Sequence, residues 1–271
     1  MSAATIQRLR ESLDARADAG APVLSFWWRD DDLEAPNAAL SELLFATSDI
    51  GVAPALAAIS GTVTPDAIGA LDGTAARVLP HGWQHRNHEP DGAKKSEYGP
   101  ARPVSDRLAE IDLACDRISA VAGARALSIF TPPWNNIDVD LLPHLGRSKA
   151  AAVSAYCSPG REPKAAACPR LDTHVDLIDW RGTRRGHSVE RLVDLLIPWI
   201  KLRSGIEYPL DSTRGVLSHH LVTLPKDWAA WARVWQVIAS HSASRWVCPE
   251  TALCMVRGGR DSVTAQGMEA S

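Results

Sequence analysis

Short apolar runs alternate along the chain with longer segments in which apolar residues recur at helical spacing. Each run holds about four to eight residues and ends at polar or turn-forming residues, which is the pattern of a buried strand. Seven such runs occur, at positions 22–28, 52–59, 77–80, 127–130, 151–156, 174–178 and 215–218. The segments between them predict helices at positions 37–47, 104–121, 138–145, 189–202 and 228–240.

Strands that alternate with helices are typical of an α/β fold with a parallel sheet. A chain of 271 residues is long enough to form one such domain with a large core. We predict an N-terminal helix over 1–20, a single domain over 21–257 and a flexible tail over 258–271. The interval 89–103 is the longest polar, Gly/Pro-rich loop, and loops of this length are often functional.

Charge and cysteine content narrow the possible partners and location. The 29 basic and 32 acidic residues nearly balance, so we expect neither nucleic acid nor a membrane surface as a partner. We find neither the apolar core of a signal peptide nor a run that would span a bilayer. The five cysteines form no C-x-x-C pair, which favours reduced thiols in a cytoplasmic protein.

Polar clusters directly follow most of the predicted strands. The clusters lie at positions 29–32, 81–88, 131–135, 179–180 and 219–220. The carboxyl ends of parallel strands meet on one face of an α/β barrel, so residues distant in sequence are brought together there. We therefore expect these clusters to form one site.

The segment 81–88 contains candidate metal ligands. His81 and His85 are four residues apart, so a helical turn or a tight loop would place both imidazoles on one side. A catalytic zinc site needs a third protein ligand, which either His88 or a carboxylate of the triplet Asp30-Asp31-Asp32 would supply. Three adjacent carboxylates also repel one another unless a cation or hydrogen bonds compensate their charge.

Other strand ends offer groups for proton transfer. A carboxylate beside a metal, but not bound to it, would accept a proton from water. His219 would protonate a leaving amine, and Asp179 would orient it and favour its charged form. Two prolines fix the chain direction at 132–133, so that the amide of Trp134 would face a developing oxyanion.

In this order, the motifs resemble those of the polysaccharide deacetylase family, also called the NodB-homology family or carbohydrate esterase family four. The likeness covers roughly positions 23–222. The family pattern is an aspartate pair, H-x-x-x-H, R-x-P-Y-G, Asp-Trp and L-x-H. The matching residues here are Asp31-Asp32, His81 and His85, Thr131-Pro132-Pro133-Trp134-Asn135, Asp179-Trp180 and Leu217-Ser218-His219.

This resemblance implies a distorted (β/α) barrel of seven strands that holds zinc or another divalent ion. The implied metal ligands are Asp32, His81 and His85. Asp31 would be the general base, the Trp134 amide would help to hold the tetrahedral intermediate, and His219, tuned by Asp179, would be the general acid. The expected substrate contacts are Trp180 and Leu217 around the acetyl methyl group, together with Trp83 and Pro133.

Two positions depart from the family pattern. Thr131 replaces the arginine that braces the catalytic base, so either Arg29 or Arg181 would take over this role. The triplet also leaves the register open between Asp30-Asp31 and Asp31-Asp32, and the strand end in the family favours the later pair.

The function that these features predict is the metal-dependent removal of an acetyl group from an N-acetylated sugar or glycan. An amidohydrolase acting on a small ureide or cyclic amide, and a catalytically silent metal- or glycan-binding module, are the alternatives. A cytoplasmic location favours a soluble precursor as substrate, on which Lys94 and Lys95 would meet a phosphate group. The sequence carries no signal for an oligomeric state.

Overall fold

Eight strands and seven α-helices form within residues 3–158, 166–201 and 213–268, which are the residues that the computed structural model describes; side chains are described up to residue 258. The strands are β1 Leu24–Leu33, β2 Ala55–Ala58, β3 Arg77–Pro80, β4 Ile129–Phe130, β5 Ala152–Val153, β6 Thr173–Asp176, β7 Arg214–Ser218 and β8 Ser244–Trp246. The helices are α1 Ala3–Asp18, α2 Ala38–Asp49, α3 Pro65–Gly69, α4 Val104–Ala122, α5 Val189–Lys201, α6 Pro225–Ser240 and α7 Pro249–Met268.

Parallel pairing of the first seven strands produces a distorted barrel. The main sheet has the order β3-β2-β1-β7-β6, and β4 pairs separately with β5. Single bridges complete the ring, because His81 after β3 pairs with Thr131 after β4, and Tyr156 after β5 pairs with Thr173 of β6. The predicted α/β class and the seven-stranded barrel are therefore confirmed. Within the described residues, none of the helices combines the length and hydropathy needed to cross a membrane.

Two elements differ from the sequence prediction. The eighth strand was not predicted; it pairs with the start of β1 on the same edge as β2, since β7 occupies the other edge. The helix predicted over 138–145 is wrong, because this region forms a 3-10 turn over Leu142–Arg147. Pro143 explains the difference, since a proline cannot donate the backbone hydrogen bond that an α-helix already under way requires.

Alternation along β1 separates the barrel interior from the helical layer. Trp27 packs inside the barrel against small and aliphatic residues, whereas Trp28 points outward against the tryptophans of α6 and β8. Gly215 on β7 leaves room for Trp27, because a Cβ there would lie 2.7 Å from the indole nitrogen. Residues at odd positions of β1 therefore face inward, and the next two are Arg29 and Asp31.

The predicted division into helix, domain and tail stays a prediction. The N-terminal helix α1 lies against α5 and α6. At the other end, α7 continues past position 257, where the tail was expected to begin. Helix α2 begins as predicted, because the side chain of Asn37 accepts a hydrogen bond from the Leu40 amide at 2.8 Å.

Candidate active site and metal centre

The end of β1 directs three adjacent carboxylates to different places. Asp30 points outward and Asp31 inward, as strand alternation requires. The pairing register with β2 shifts after Asp31, and Asp32 has a φ of 74°. This left-handed backbone is uncommon outside glycine but tolerated by aspartate, and it turns Asp32 back towards the barrel mouth. Asp31 and Asp32 therefore face the same space, and Asp30 does not.

Asp30 belongs to a buried network behind the site. Its carboxylate accepts a hydrogen bond from the Ser218 hydroxyl at 2.6 Å and lies 2.5 Å from His220 Nδ1. Trp28 in turn donates its indole N–H to Ser218 at 2.8 Å. Burial lowers the pKa of His220, but the charge of Asp30 and the hydrogen bond to it outweigh burial and raise that pKa overall. These contacts hold Asp30 in the network behind the sheet, and the two aspartates that face the barrel mouth are Asp31 and Asp32.

Asp31 is held by Arg29, two residues earlier on the same strand. The guanidinium donates from Nε to Oδ1 at 2.8 Å and from Nη2 to Oδ2 at 3.1 Å, and both side chains are buried. Arg29 also donates to the Ser154 hydroxyl at 2.6 Å and to Asn135 Oδ1 at 2.5 Å. Arg29, and not the exposed Arg181, thus braces the carboxylate that the resemblance assigns as the base.

Asp32, His81 and His85 form a cluster with the geometry of a metal site. One ligand atom from each residue lies within 4.8 Å of the others. Asp32 Oδ1 is 3.2 Å from His81 Nε2 and 3.5 Å from His85 Nε2. His88 is not part of this group, and its backbone amide binds the Ser96 carbonyl instead. The geometry therefore selects the carboxylate as the third ligand.

The hydrogen bonds of this cluster fit a divalent cation. His81 Nδ1 lies 3.1 Å from the Thr131 carbonyl, which suits a ring that donates from Nδ1 and directs the lone pair of Nε2 at Asp32. Asp32 Oδ1 is buried and has no hydrogen-bond partner among the described residues. Two imidazoles and one carboxylate form a common catalytic zinc set, and a cation would satisfy the acceptors that face one another here.

The electrostatics of the cluster follow from burial and mutual contact. Burial raises the pKa of Asp32, but the close contact with the His81 ring, with the charges of His219 and His85, lowers it well below its usual range. Burial lowers the pKa of His81, whereas Asp31 and Asp32 raise it and prevail. The pKa of His85 is lowered by burial and then by the charge of His81.

The turn after β4 approaches the metal ligands. Trp134 and Asn135 both have left-handed backbones, with φ of 55° and 51°. The ring of Trp134 lies with its centroid 4.4 Å from that of His85, and Pro133 packs against Gly82 in the ligand segment. The amides of the two residues after Trp134 donate to carbonyls within the turn. Trp134 and Pro133 thus reach the site, as the sequence predicted.

The general-acid candidate lies on the other side of Asp31. His219 Nε2 is 3.9 Å from Asp31 Oδ2, and the Trp180 ring meets the imidazole edge to face at 4.7 Å between centroids. The Trp180 indole donates to Asp176 Oδ2 at 3.0 Å. Burial raises the pKa of Asp176, against the opposing charge of His219 and the hydrogen bonds from Ile178 and Trp180. Asp176 is therefore connected to His219 through the Trp180 ring.

The structure does not place Asp179 at His219. Its exposed carboxylate accepts hydrogen bonds from the amides of Gly182 at 3.1 Å and Thr183 at 2.9 Å, which closes the turn after β6. Its hydrogen bonds lie within this turn, so the tuning of His219 by Asp179 stays a prediction, with Asp176 as a second candidate. The predicted strand 174–178 extended past the true end at Asp176, so this residue looked like the middle of the strand and not like its last residue.

Two further predicted contacts are placed less directly. Leu217 is fully buried on β7 opposite Arg29, on the same strand face as His219. Trp83 is partly buried, and its ring and carbonyl lie close to Gly61 in the loop after β2. Their roles as pocket walls stay predictions. The sequence reasoning missed Asp176, Asn135 and Ser154.

Comparison with known proteins gives a consistent fold assignment. Neither a family model nor a curated protein sequence matches the chain. Among solved structures, a mutant of the peptidoglycan deacetylase PdaC from Bacillus subtilis matches with a TM-score of 0.53 and 16% identity, over 91% of this chain and 97% of that one. A Mycobacterium smegmatis protein assigned as a polysaccharide deacetylase matches with a TM-score of 0.61 and 11% identity, over 89% and 92%.

A third structural neighbour was solved with a metal ion. It is a family 4 acetyl xylan esterase from Clostridium thermocellum in complex with a cobalt ion, with a TM-score of 0.50 and 13% identity over 86% of this chain and 92% of that one. At such identities the comparison defines the fold. The chain has the fold of the polysaccharide deacetylases and family 4 carbohydrate esterases, which is the family that the motifs resemble.

We predict that the purified protein binds one divalent ion per chain at this cluster. Asp32→Ala, His81→Ala and His85→Ala should each lose it, because a catalytic zinc site depends on three protein ligands. His88→Ala should retain it. Elemental analysis after dialysis measures the metal content. A metal-free His88→Ala protein beside a loaded Asp32→Ala protein would contradict the ligand assignment.

A matched pair of substitutions separates Asp176 from Asp179. Asp176→Asn should lower kcat about tenfold or more, because it removes the carboxylate that binds Trp180 beside the proposed general acid His219. Asp179→Asn should leave kcat nearly unchanged, because its oxygen still accepts one of the two turn amides and water can replace the acceptor of the other in this exposed turn. Acetate release measures both. The reverse order of effects would support the original assignment of Asp179.

Proposed function

We propose that this protein is a metal-dependent hydrolase that removes an acetyl group from an N-acetylated sugar or glycan. The observation that carries the proposal is the convergence, at one barrel mouth, of a His/His/Asp cluster with a braced carboxylate and a buried imidazole. The fold shared with deacetylases supports it.

Three groups take part in the first half of the proposed reaction: a divalent cation, Asp31 and Arg29. A divalent cation held by Asp32, His81 and His85 would lower the pKa of water to roughly 7 and polarise the acetyl carbonyl. Asp31 accepts the proton of the attacking water, and Arg29 holds both carboxylate oxygens so that the acceptor stays in one orientation. Arg29 thereby takes the role of the arginine that Thr131 replaces.

The second half of the reaction requires a proton donor and an oxyanion contact. His219 protonates the departing amine, and the Trp180 ring, whose indole donates to Asp176, packs against this imidazole. The amide of Trp134 donates to the developing oxyanion from the turn that lies against His85. The edge of Trp180 beside His219 leaves an apolar surface for the acetyl methyl group.

The activity is tested by an acetate-release screen with the metal-loaded protein. We expect turnover of N-acetylated sugars and their precursors, and the screen should include acetyl esters and small cyclic amides. Turnover of cyclic amides without acetate release would identify an amidohydrolase instead. A metal-loaded protein that turns over none of these substrates would be a silent binding module.

Asp31→Asn separates the proposed base from the ligands. The asparagine is nearly isosteric but cannot accept the proton of water, so kcat should fall about 10²- to 10⁴-fold. The metal content should stay at that of the parent, whereas the ligand variants lose both metal and activity. A near-normal rate for Asp31→Asn would remove this carboxylate from the mechanism.

We further propose a cytoplasmic location and a soluble, phosphorylated acetamido-sugar as substrate. Lys94 Nζ lies 3.1 Å from Asn136 Oδ1, beside the Asn135 that contacts Arg29. The side-chain amide of Asn136 donates to the backbone carbonyl of Lys95 at 2.9 Å. The backbone carbonyl of Asn136 accepts a hydrogen bond from the Ser96 hydroxyl at 3.1 Å. Asn136 thus holds both lysines at the edge of the site, where they would meet an anionic group.

Replacing both Lys94 and Lys95 with alanine should raise KM for a phosphorylated acetamido-sugar. We expect about a fivefold increase, because an exposed charge pair contributes up to about 1 kcal/mol. The KM for the unphosphorylated sugar is the internal control and should not change. Equal effects on both substrates, or efficient hydrolysis of insoluble chitin by the parent, would contradict this proposal.

A further inference from the structure

Glu97 is a buried carboxylate that no motif of the sequence singled out. It lies in the polar loop 89–103, yet it is only 1% exposed. Its Oε1 accepts hydrogen bonds from the amides of Gln84 at 2.8 Å and Arg86 at 3.3 Å, and its Oε2 accepts one from the amide of Trp83 at 3.1 Å. Burying a carboxylate is costly, and here three backbone donors compensate it.

The three amides belong to residues 82–86, the segment that joins His81 to His85 and continues one residue beyond it. Residues 82–86 do not form an α-helix, so the amides have no helical acceptors. Gly82 and His85 have positive φ of 59° and 54°. A left-handed backbone at His85 costs of order 1 kcal/mol and persists only when its surroundings enforce it. The Glu97 carboxylate binds three amides of this segment and so stabilises its irregular backbone.

The two ligands are anchored in different ways. His81 directly follows β3, and both its strand bridge and its ring contact involve Thr131. His85 lies on the irregular segment, where its ring packs against Trp134. The position of His85 therefore depends on the shape of residues 82–86, and the three hydrogen bonds to Glu97 maintain that shape.

We infer that Glu97 is a positioning residue that holds residues 82–86 in the conformation that presents His85 to the metal site. The inference rests on the proposed function in that it requires a metal at this site. It assigns to the loop 89–103 a role in building the metal centre, in addition to the proposed contact of its lysines with substrate.

The test is Co²⁺ binding to the metal-free full-length protein, measured by its visible absorption. Glu97→Gln should raise the Kd for Co²⁺ about 10- to 100-fold, the usual effect of removing a group that orients a ligand, and should change the absorption bands. A glutamine of the same shape has one oxygen, so it leaves at least one of the amides unpaired. Glu97→Asp, which keeps the charge, should restore part of the affinity.

Glu89→Gln is the matched control in the same loop. The Glu89 carboxylate accepts the amide of Ala101 at 3.2 Å, away from the ligand segment, so this variant should bind Co²⁺ like the parent. Far-ultraviolet circular dichroism of the metal-free proteins checks that the variants fold.

A pair of glycine substitutions tests the same point without changing Glu97. Gly82→Ala should also weaken Co²⁺ binding, because its Cβ would overlap Glu97 Oε2 and lie 2.5 Å from Pro133 Cγ. Gly92→Ala introduces alanine at a similar φ of 83° with no atom within 4 Å of the new Cβ, and should bind normally. This pair decides the inference if Glu97→Gln does not fold.

The possible outcomes are distinct. Parent-like affinity and absorption bands for Glu97→Gln or, if that variant does not fold, for Gly82→Ala would overturn the inference while leaving the proposed function intact. Equal losses in Glu97→Gln and Glu89→Gln would show general loosening of the loop and would also overturn it. A parent protein that binds no Co²⁺ would overturn the proposed function and the inference together.

Discussion

The site depends on separating three adjacent carboxylates, two buried and one partly buried, and on compensating the charge of each. Asp30 is compensated by Ser218 and His220 behind the sheet, and Asp31 by Arg29 inside the barrel. Asp32 turns away through a left-handed backbone and faces two imidazoles. Removing one partner from a buried ion pair typically costs about 3–5 kcal/mol of folding free energy. The partners of these carboxylates are therefore needed for the end of β1 to keep its conformation.

Arg29 connects several strand ends at the barrel mouth through its hydrogen bonds. One guanidinium joins the strand that carries it to Ser154 after β5 and to Asn135 in the turn after β4. The same turn carries Trp134 against His85, and Asn136 binds the long loop. Groups from four strand ends therefore keep fixed relative positions, which is what a reaction with separate base, acid and oxyanion contacts requires.

The sequence was sufficient to predict the features that depend on the local pattern of apolar and polar residues. Apolar runs identified the seven barrel strands. The polar residues after them indicated the Asp32, His81 and His85 cluster and the neighbouring Asp31 and His219, which the structure brings together. The residues that sequence reasoning missed act through contacts between distant segments. Asp176 lies inside an apolar run whose end was placed two residues late, and Glu97 lies in a loop whose polarity suggested solvent exposure. Long-range packing, and not local composition, decides such positions.

The backbone carbonyl of Thr131 makes two contacts at once, and they link the stability of the fold to metal binding. It accepts the amide of Gly82 across the seam between β3 and β4, and the ring of His81 at the same time. The carbonyl that joins the ends of β3 and β4 therefore also orients the candidate ligand His81. By linkage, an ion that binds the folded chain alone adds about 4 kcal/mol to its free energy of unfolding at a thousandfold excess over Kd. Loss of the His81–Thr131 contact would then reduce the stability of the fold and metal binding together.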